Sequence, residues 1–482
     1  HNNLEYYSLN QDLYYYYSRL SYNIKTVFTT FNFKVSRIVV RCFLHKPMAS
    51  KINSELLSKI FIIHTYNLFR QSWRNTNVDR NSPLASAMKF YNSICHHVQY
   101  RMAIVFMIFV NDGAGGYWWM EHATWNGLVA GDLVFPAFLW IMGVCIPLSV
   151  KSAFAKGVPR WKIVMHIVRR SVIMFVLGMS LNTIYGSNML FELRIFGVLQ
   201  RLAVSYLIAA GFYALTAPKY YTPPRGACGQ ALKDVLSCVW CWVLAAVLVA
   251  AHTVITFVVH DPNCPMGYLG PGGLHDDWVA RNCGGGAAGY IDRMLLGRSH
   301  VFQRSDAVRV YGGDPTDPEG LLGCLTSAVQ ALLGVQAGAT VLLQRSHKAR
   351  ISRWLAWALV FALAGALLAG FSREHGVVPI NKNLWSMSFV LVTSAVCLIL
   401  LCLCYTLTDA WRLWAGGPFR APGLNAIALY VGHSLCAHLF PFHWRVPDMR
   451  THALSLVEAV WGTALWVIIA HVMAKKKVFI TL

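Results

Sequence analysis

Residues 102–150 read MAIVFMIFVNDGAGGYWWMEHATWNGLVAGDLVFPAFLWIMGVCIPLSV. The chain leaves one apolar run at Asn111, passes through a polar, glycine-rich turn, and enters a second run near Leu128. The second run has the length of about twenty residues that a helix needs to cross a bilayer. Gly113, Gly115 and Gly116 make the turn too flexible for a lipid-exposed helix. Irregular backbone at membrane depth survives only where protein buries it or water reaches it. The stretch therefore predicts two spans joined by a loop that dips into a cavity at the membrane face. Tyr117 and the tryptophans of this loop suit the interfacial level, with apolar bodies and one polar edge.

The pattern repeats along the chain. Apolar runs fall near 102–111, 128–150, 171–185, 195–217, 234–259, 321–343, 354–371, 385–407, 423–440 and 455–473. The first is short and must borrow residues upstream. Of the 482 residues, 56% are hydrophobic and 13% charged, and the mean hydropathy is +0.44. Soluble domains carry about a quarter charged residues. The expected fold is all-α, a polytopic helical membrane bundle of about ten transmembrane helices. Residues 1–101, rich in Tyr, Asn and basic groups, lack a span-length apolar run and are read as a separate, poorly patterned N-terminal segment. The chain begins with His1, so no signal peptide can be read from it. The membrane domain is expected over 102–482, with a long loop at about 260–320.

A formal charge of +21 invites a nucleic-acid reading. The Lys and Arg residues, however, lie between apolar runs and form no patch, so no nucleic acid is expected. They report topology instead. Loops 151–170, 218–233, 344–353 and 408–422, with Lys475, Lys476 and Lys477, carry roughly four times the Lys and Arg of the short intervening loops. That alternation predicts a cytosolic C-terminus and puts the 111–127 loop and 260–320 on the opposite face. Cys145, Cys238, Cys241, Cys397, Cys402 and Cys404 sit inside apolar runs and read as small buried hydrophobes. Cys264 and Cys283 share the long polar loop, where a disulfide and two free thiols are both open readings.

Polar groups inside spans are costly, and each requires a reason. Asp132 stands early in the second run, and Arg194, Gln200 and Arg201 stand at or in the fourth. Asp132 can pair with an arginine to join two helices, or these groups can line a polar cavity for a charged substrate. Asp132 and Arg201 are the candidates for contacting a cofactor. His122 is the sharper candidate, a titratable base or nucleophile beside Glu121 at a cavity mouth. Asn111 closes the preceding run and can orient an imidazole or act as an amide donor to a developing oxyanion. His166, His252, His433 and His438 compete with His122. No P-loop, Rossmann glycine motif, HExxH or GxSxG stands in a suitable context, and no metal is expected. A transporter or permease with a buried Asp–Arg network fits the composition equally well.

Several strings taken together go further. FVNDGAGGYWWMEHATWNGL, GDLVFPAFLWIMG, RIFGVLQRLAVSY, CPMGYLGPGG, NCGGGAAGYIDRMLLG, DPEGLLG, GVQAG, PINKNLWSMSFVL and GLNAIALYVGH occur in this order from about residue 102 to the end. They resemble the lysosomal heparan-α-glucosaminide N-acetyltransferase family. The resemblance implies transfer of acetyl from acetyl-CoA to the amine of a terminal, non-reducing α-glucosamine of heparan sulfate at the luminal face. It implies a multi-pass protein of the lysosomal membrane, with His122 as catalytic histidine, Asn111 as catalytic asparagine and Asp132 beside them. An acetyl-histidine intermediate and direct transfer in a ternary complex both stay open, as do a homodimer and an inactive family member. The family's D-x-x-R-G stretch is missing at the junction HHVQYRMAIV, where Tyr100 and Arg101 stand instead.

Overall fold

The structure, a computed structural model, describes residues 94–480 apart from 188, 220–225 and 450. Nearly all of the N-terminal segment read at 1–101 lies outside the described residues. The described residues are helical throughout, with no β-strand beyond an isolated bridge between Asn126 and Asn381. The helices of ten residues or more are α1 (Ile94–Asn111), α2 (Val134–Ala155), α3 (Arg160–Tyr185), α4 (Val198–Thr216), α5 (Val239–Val258), α6 (Gly286–Leu295), α7 (Gly323–Leu343), α8 (His347–Leu368), α9 (Met387–Tyr405), α10 (Ala426–Cys436) and α11 (His452–Lys475).

A helix stands at each of the ten apolar runs, and among the described residues eight of them are long and apolar enough to cross a membrane. The other two are α1, whose apolar part is Arg101–Asn111, and α10, with 11 residues. Both end at polar breaks: α1 at the glycine turn, and α10 before the loop at 437–451. The run near 102–111 does extend upstream, since α1 is described from Ile94 and passes through the 101/102 junction. Gln99, upstream of that junction, is buried and donates its side-chain amide to the Cys397 carbonyl at 3.0 Å. The run near 171–185 likewise starts earlier, at Arg160, because Pro159 sets the chain for a first helical turn that the apolar pattern does not reveal.

At the centre α2 packs on α7. Lipid tails are as apolar as leucine, so helix association in a bilayer relies on close contact and buried hydrogen bonds. Small residues supply the contact: a methyl at Gly143 would lie 2.0 Å from the Ala331 carbonyl oxygen, and one at Gly334 2.1 Å from that of Trp140. Polar side chains supply the bonds. Gln330 donates to Thr393 at 3.0 Å and accepts from Trp385 Nε1 at 3.1 Å, while Ser205 and Ser327 pair at 2.8 Å. Helices α5, α8 and α11 are peripheral and leave most of their apolar surface outward.

The loops sort onto two faces. On one face Arg160 of α3 donates to the carbonyls of Ala214, Leu215 and Ala217, and Arg353 of α8 pairs with buried Asp234 at 2.9 Å. On the other, Trp125 donates to the Leu269 carbonyl at 2.9 Å, and His452 to that of Gly115 at 3.0 Å. Cys264 and Cys283 form a disulfide in the long loop on this second face. Cys238, Cys241, Cys397, Cys402 and Cys404 are free and buried, while Cys145 is half-buried.

Candidate active site at the membrane face

The 111–133 segment reaches its shape through positions that side chains resist. Gly113, Gly115 and Gly116 all have positive φ, at 91°, 78° and 68°. A methyl at Gly115 would also meet Leu456 of α11 at 2.9 Å. Further on, Gly131 lets the 120–122 backbone lie against the short turn that opens α2, since a Cβ there would sit 2.4 Å from the Glu121 carbonyl oxygen. That approach brings His122 to the following residue, Asp132.

Asp132 is fully buried. Its Oδ2 accepts the backbone N–H of Ala123 at 3.1 Å and of Val129 at 3.3 Å, pinning both ends of the loop between them. Its Oδ1 lies 3.0 Å from His122 Nδ1 and 3.3 Å from Lys382 Nζ. A carboxylate only accepts, so His122 Nδ1 carries the proton and, in the neutral ring, Nε2 holds the lone pair. The His122 side chain is 40% exposed, which leaves Nε2 accessible from the face. The expected arginine partner of Asp132 is therefore a lysine and a histidine. The loop at 372–386 supplies Lys382 and locks to the His122 loop through Arg373 Nε to the Asn126 carbonyl at 3.1 Å and Asn126 to Glu374 at 2.6 Å.

Asn111 does not orient His122. Its Nδ2 lies 3.0 Å from Nε2 of His433, a buried residue of α10. Next to it, Asp112 Oδ1 lies 3.4 Å from His443 Nε2, and Glu458 Oε1 lies 3.2 Å from His443 Nδ1. The Asp112 hydrogen bond raises the His443 pKa above the usual imidazole value, and Glu458 adds to it against the effect of burial. Sequence reading ranked His433 as a competitor of His122 and overlooked His443, Glu458 and Lys382. Lys382 lies within PINKN, a string whose charged residue carried no visible role.

Arg201 is almost fully buried, donates to the Gly320 carbonyl at 2.9 Å and stacks over Trp385 with 4.9 Å to the ring centroid. It does not touch Asp132. Arg194 instead holds Asp317 and Glu319, each at 2.6 Å. Asp292, buried nearby on α6, accepts the Leu321 N–H at 2.8 Å, and burial pushes its pKa up to about 7.

Fold and site define a polytopic helical membrane protein with a histidine–carboxylate pair presented at one membrane face. Residues 117–192 match a family model described as a domain of unknown function, DUF5009. Over 386 residues, 78% of the chain, the sequence is 40% identical to heparan-alpha-glucosaminide N-acetyltransferase of Homo sapiens. The Mus musculus protein of the same name is 40% identical over 388 residues. The chain is similar to these two proteins over most of its own length. It spans 58% of the length of these curated relatives.

Proposed function

We propose that this chain is a membrane N-acetyltransferase that moves acetyl from acetyl-CoA to the amine of a terminal glucosamine of heparan sulfate. The observation that carries the reading is the half-exposed His122 whose Nδ1–H is fixed on buried Asp132 at 3.0 Å. An amine is a nucleophile only when deprotonated, and an imidazole held in one tautomer with Nε2 outward can take that proton or accept the acetyl group itself. In either route the thioester carbon passes through a tetrahedral stage, the thiolate leaves, and the oxyanion needs a donor. Asn111 keeps one amide N–H beyond the one it gives to His433, and we assign it that task. The names of the relatives support the substrate class.

The loops rich in Lys and Arg support a cytosolic face opposite His122, hence a luminal acceptor site in a lysosomal membrane. A cysteine placed at Ser152 is expected to react with an impermeant reagent from the cytosolic side alone. A permease reading has less support: the ion pairs Arg194–Asp317 and Asp234–Arg353 join loops and helix ends, not the middle of spans. The deciding experiment gives purified full chain labelled acetyl-CoA and a glucosamine-ended heparan oligosaccharide. Label in the sugar amide is expected. Label retained on His122 without acceptor identifies the acetyl-histidine route, whereas folded protein that binds donor and never transfers would make this an inactive family member.

A further inference from the structure

Lys382 shares an oxygen with the candidate base. Its Nζ lies 3.3 Å from Asp132 Oδ1, the atom that accepts from His122 Nδ1 at 3.0 Å. The lysine side chain is 15% exposed and the aspartate 0%. Residues on both sides of Lys382 are tied to the His122 loop. Ile380 accepts the Gly127 N–H at 2.8 Å, Asn381 donates to Asn126 Oδ1 at 3.0 Å, and Asn383 donates to the Thr124 carbonyl at 3.1 Å. Asn381 is itself fully buried and accepts the Leu384 N–H at 2.9 Å. The ammonium group is therefore placed by the loop's own bonds, independently of its attraction to Asp132.

We propose that Lys382 is a positioning residue that lets Asp132 orient His122 without holding the imidazole protonated. The proposal rests on the reading of His122 as the base. A buried carboxylate facing an imidazole alone favours the charged ring, and a ring locked as imidazolium is no base. A fixed cation on the same oxygen offsets that field. The hydrogen bond survives, because it needs a lone pair and not an uncompensated charge.

The other charged groups around the pair do not share this oxygen. Glu319 faces Lys382 and is in turn held by Arg194 at 2.6 Å. Glu121 precedes His122 and is exposed. Arg373 and Glu374 pair at 3.4 Å on the lysine's own loop. Lys382 is the cation of this set that acts on the hydrogen-bonded oxygen directly.

The test reads His122 in two ways on the full chain in lipid nanodiscs. One is the pH midpoint for modification of His122 by diethyl pyrocarbonate, measured by peptide mass spectrometry. The other is the acid limb of kcat/KM for acetyl transfer. In Lys382→Gln both are expected to move up by about one pH unit, since removal of a nearby cation stabilises the imidazolium. Lys382→Arg is expected to return both to the wild-type position. A lysine that only packs the loop would lower activity equally at every pH and leave the midpoint unmoved, which overturns the proposal. Lys382→Met serves if the glutamine variant melts early. Should wild type transfer no acetyl while its midpoint still shifts in Lys382→Gln, the role of Lys382 stands and the acetyltransferase reading fails.

Discussion

The side-chain amide of Asn111 donates to Nε2 of His433 at 3.0 Å, and Nδ1 of the same ring lies 3.1 Å from the Leu429 carbonyl. A carbonyl accepts, so His433 Nδ1 carries the proton and Nε2 is the acceptor. The neutral histidine thus fixes which end of the Asn111 amide is nitrogen. Asn111→Ala is expected to slow acetyl transfer about a hundredfold by removing an oxyanion donor. His433→Ala should leave donor binding intact and lower kcat, with partial recovery in His433→Gln, whose carbonyl can accept from Asn111. Equal turnover in wild type and Asn111→Ala would reduce the asparagine to a helix terminus.

For His122 the expected outcome is complete loss of transfer in His122→Ala, with an unchanged thermal melt, because the side chain is half-exposed and packs no core. Asp132→Asn keeps the shape but offers an amide where a carboxylate fixed the tautomer. It should cost about a hundredfold or more in kcat. It should also loosen the loop, since Oδ2 holds two backbone N–H groups. Steady-state kinetics beside hydrogen exchange at 120–130 separates the two effects.

Acid should tighten the α1–α11 junction. His443 stands between Asp112 and Glu458, with both nitrogens facing acceptors, and its ring also neighbours His438 at 6.0 Å. Its folded pKa is raised, so the stabilisation is complete below the unfolded imidazole value and fades as pH rises through the folded one. Melting of wild type is expected to be higher at about pH 5 than at about pH 8. In His443→Gln that pH difference should shrink, and an unchanged difference would assign the acid stability elsewhere.

The central packing is open to a simple contrast. Gly334→Leu puts a side chain against the Trp140 carbonyl and is expected to destabilise the bundle by about 3 kcal/mol. Gly211→Ala, where a methyl meets no atom within 4 Å, should not destabilise it. Unfolding in mixed micelles measures both. If the two variants melt together, the α2–α7 contact contributes less than its geometry indicates.

The class of fold was legible because a bilayer imposes span-length apolar runs on the sequence. Each of the ten runs became a helix, and among the described residues eight of these are long and apolar enough to cross a membrane, α1 and α10 falling outside that set. The glycine turn after Asn111 was legible for a similarly local reason: positive φ at Gly113, Gly115 and Gly116 needs residues without Cβ. His122 and Asp132 were legible as costly polar groups in one short stretch, although nothing in their spacing showed that they touch.

What the sequence determined by itself was therefore local: where helices run, where the chain must bend, and which polar residues need an explanation. Tertiary structure alone decided who meets whom. Lys382 is far along the chain from Asp132, and His433 far from Asn111, so no period or spacing links either pair. The partners are set by close helix contacts such as Gly143 on Ala331, and by loops that bond one another across the membrane face. Those contacts depend on shape in three dimensions, whereas hydropathy along the chain records only whether a residue meets lipid.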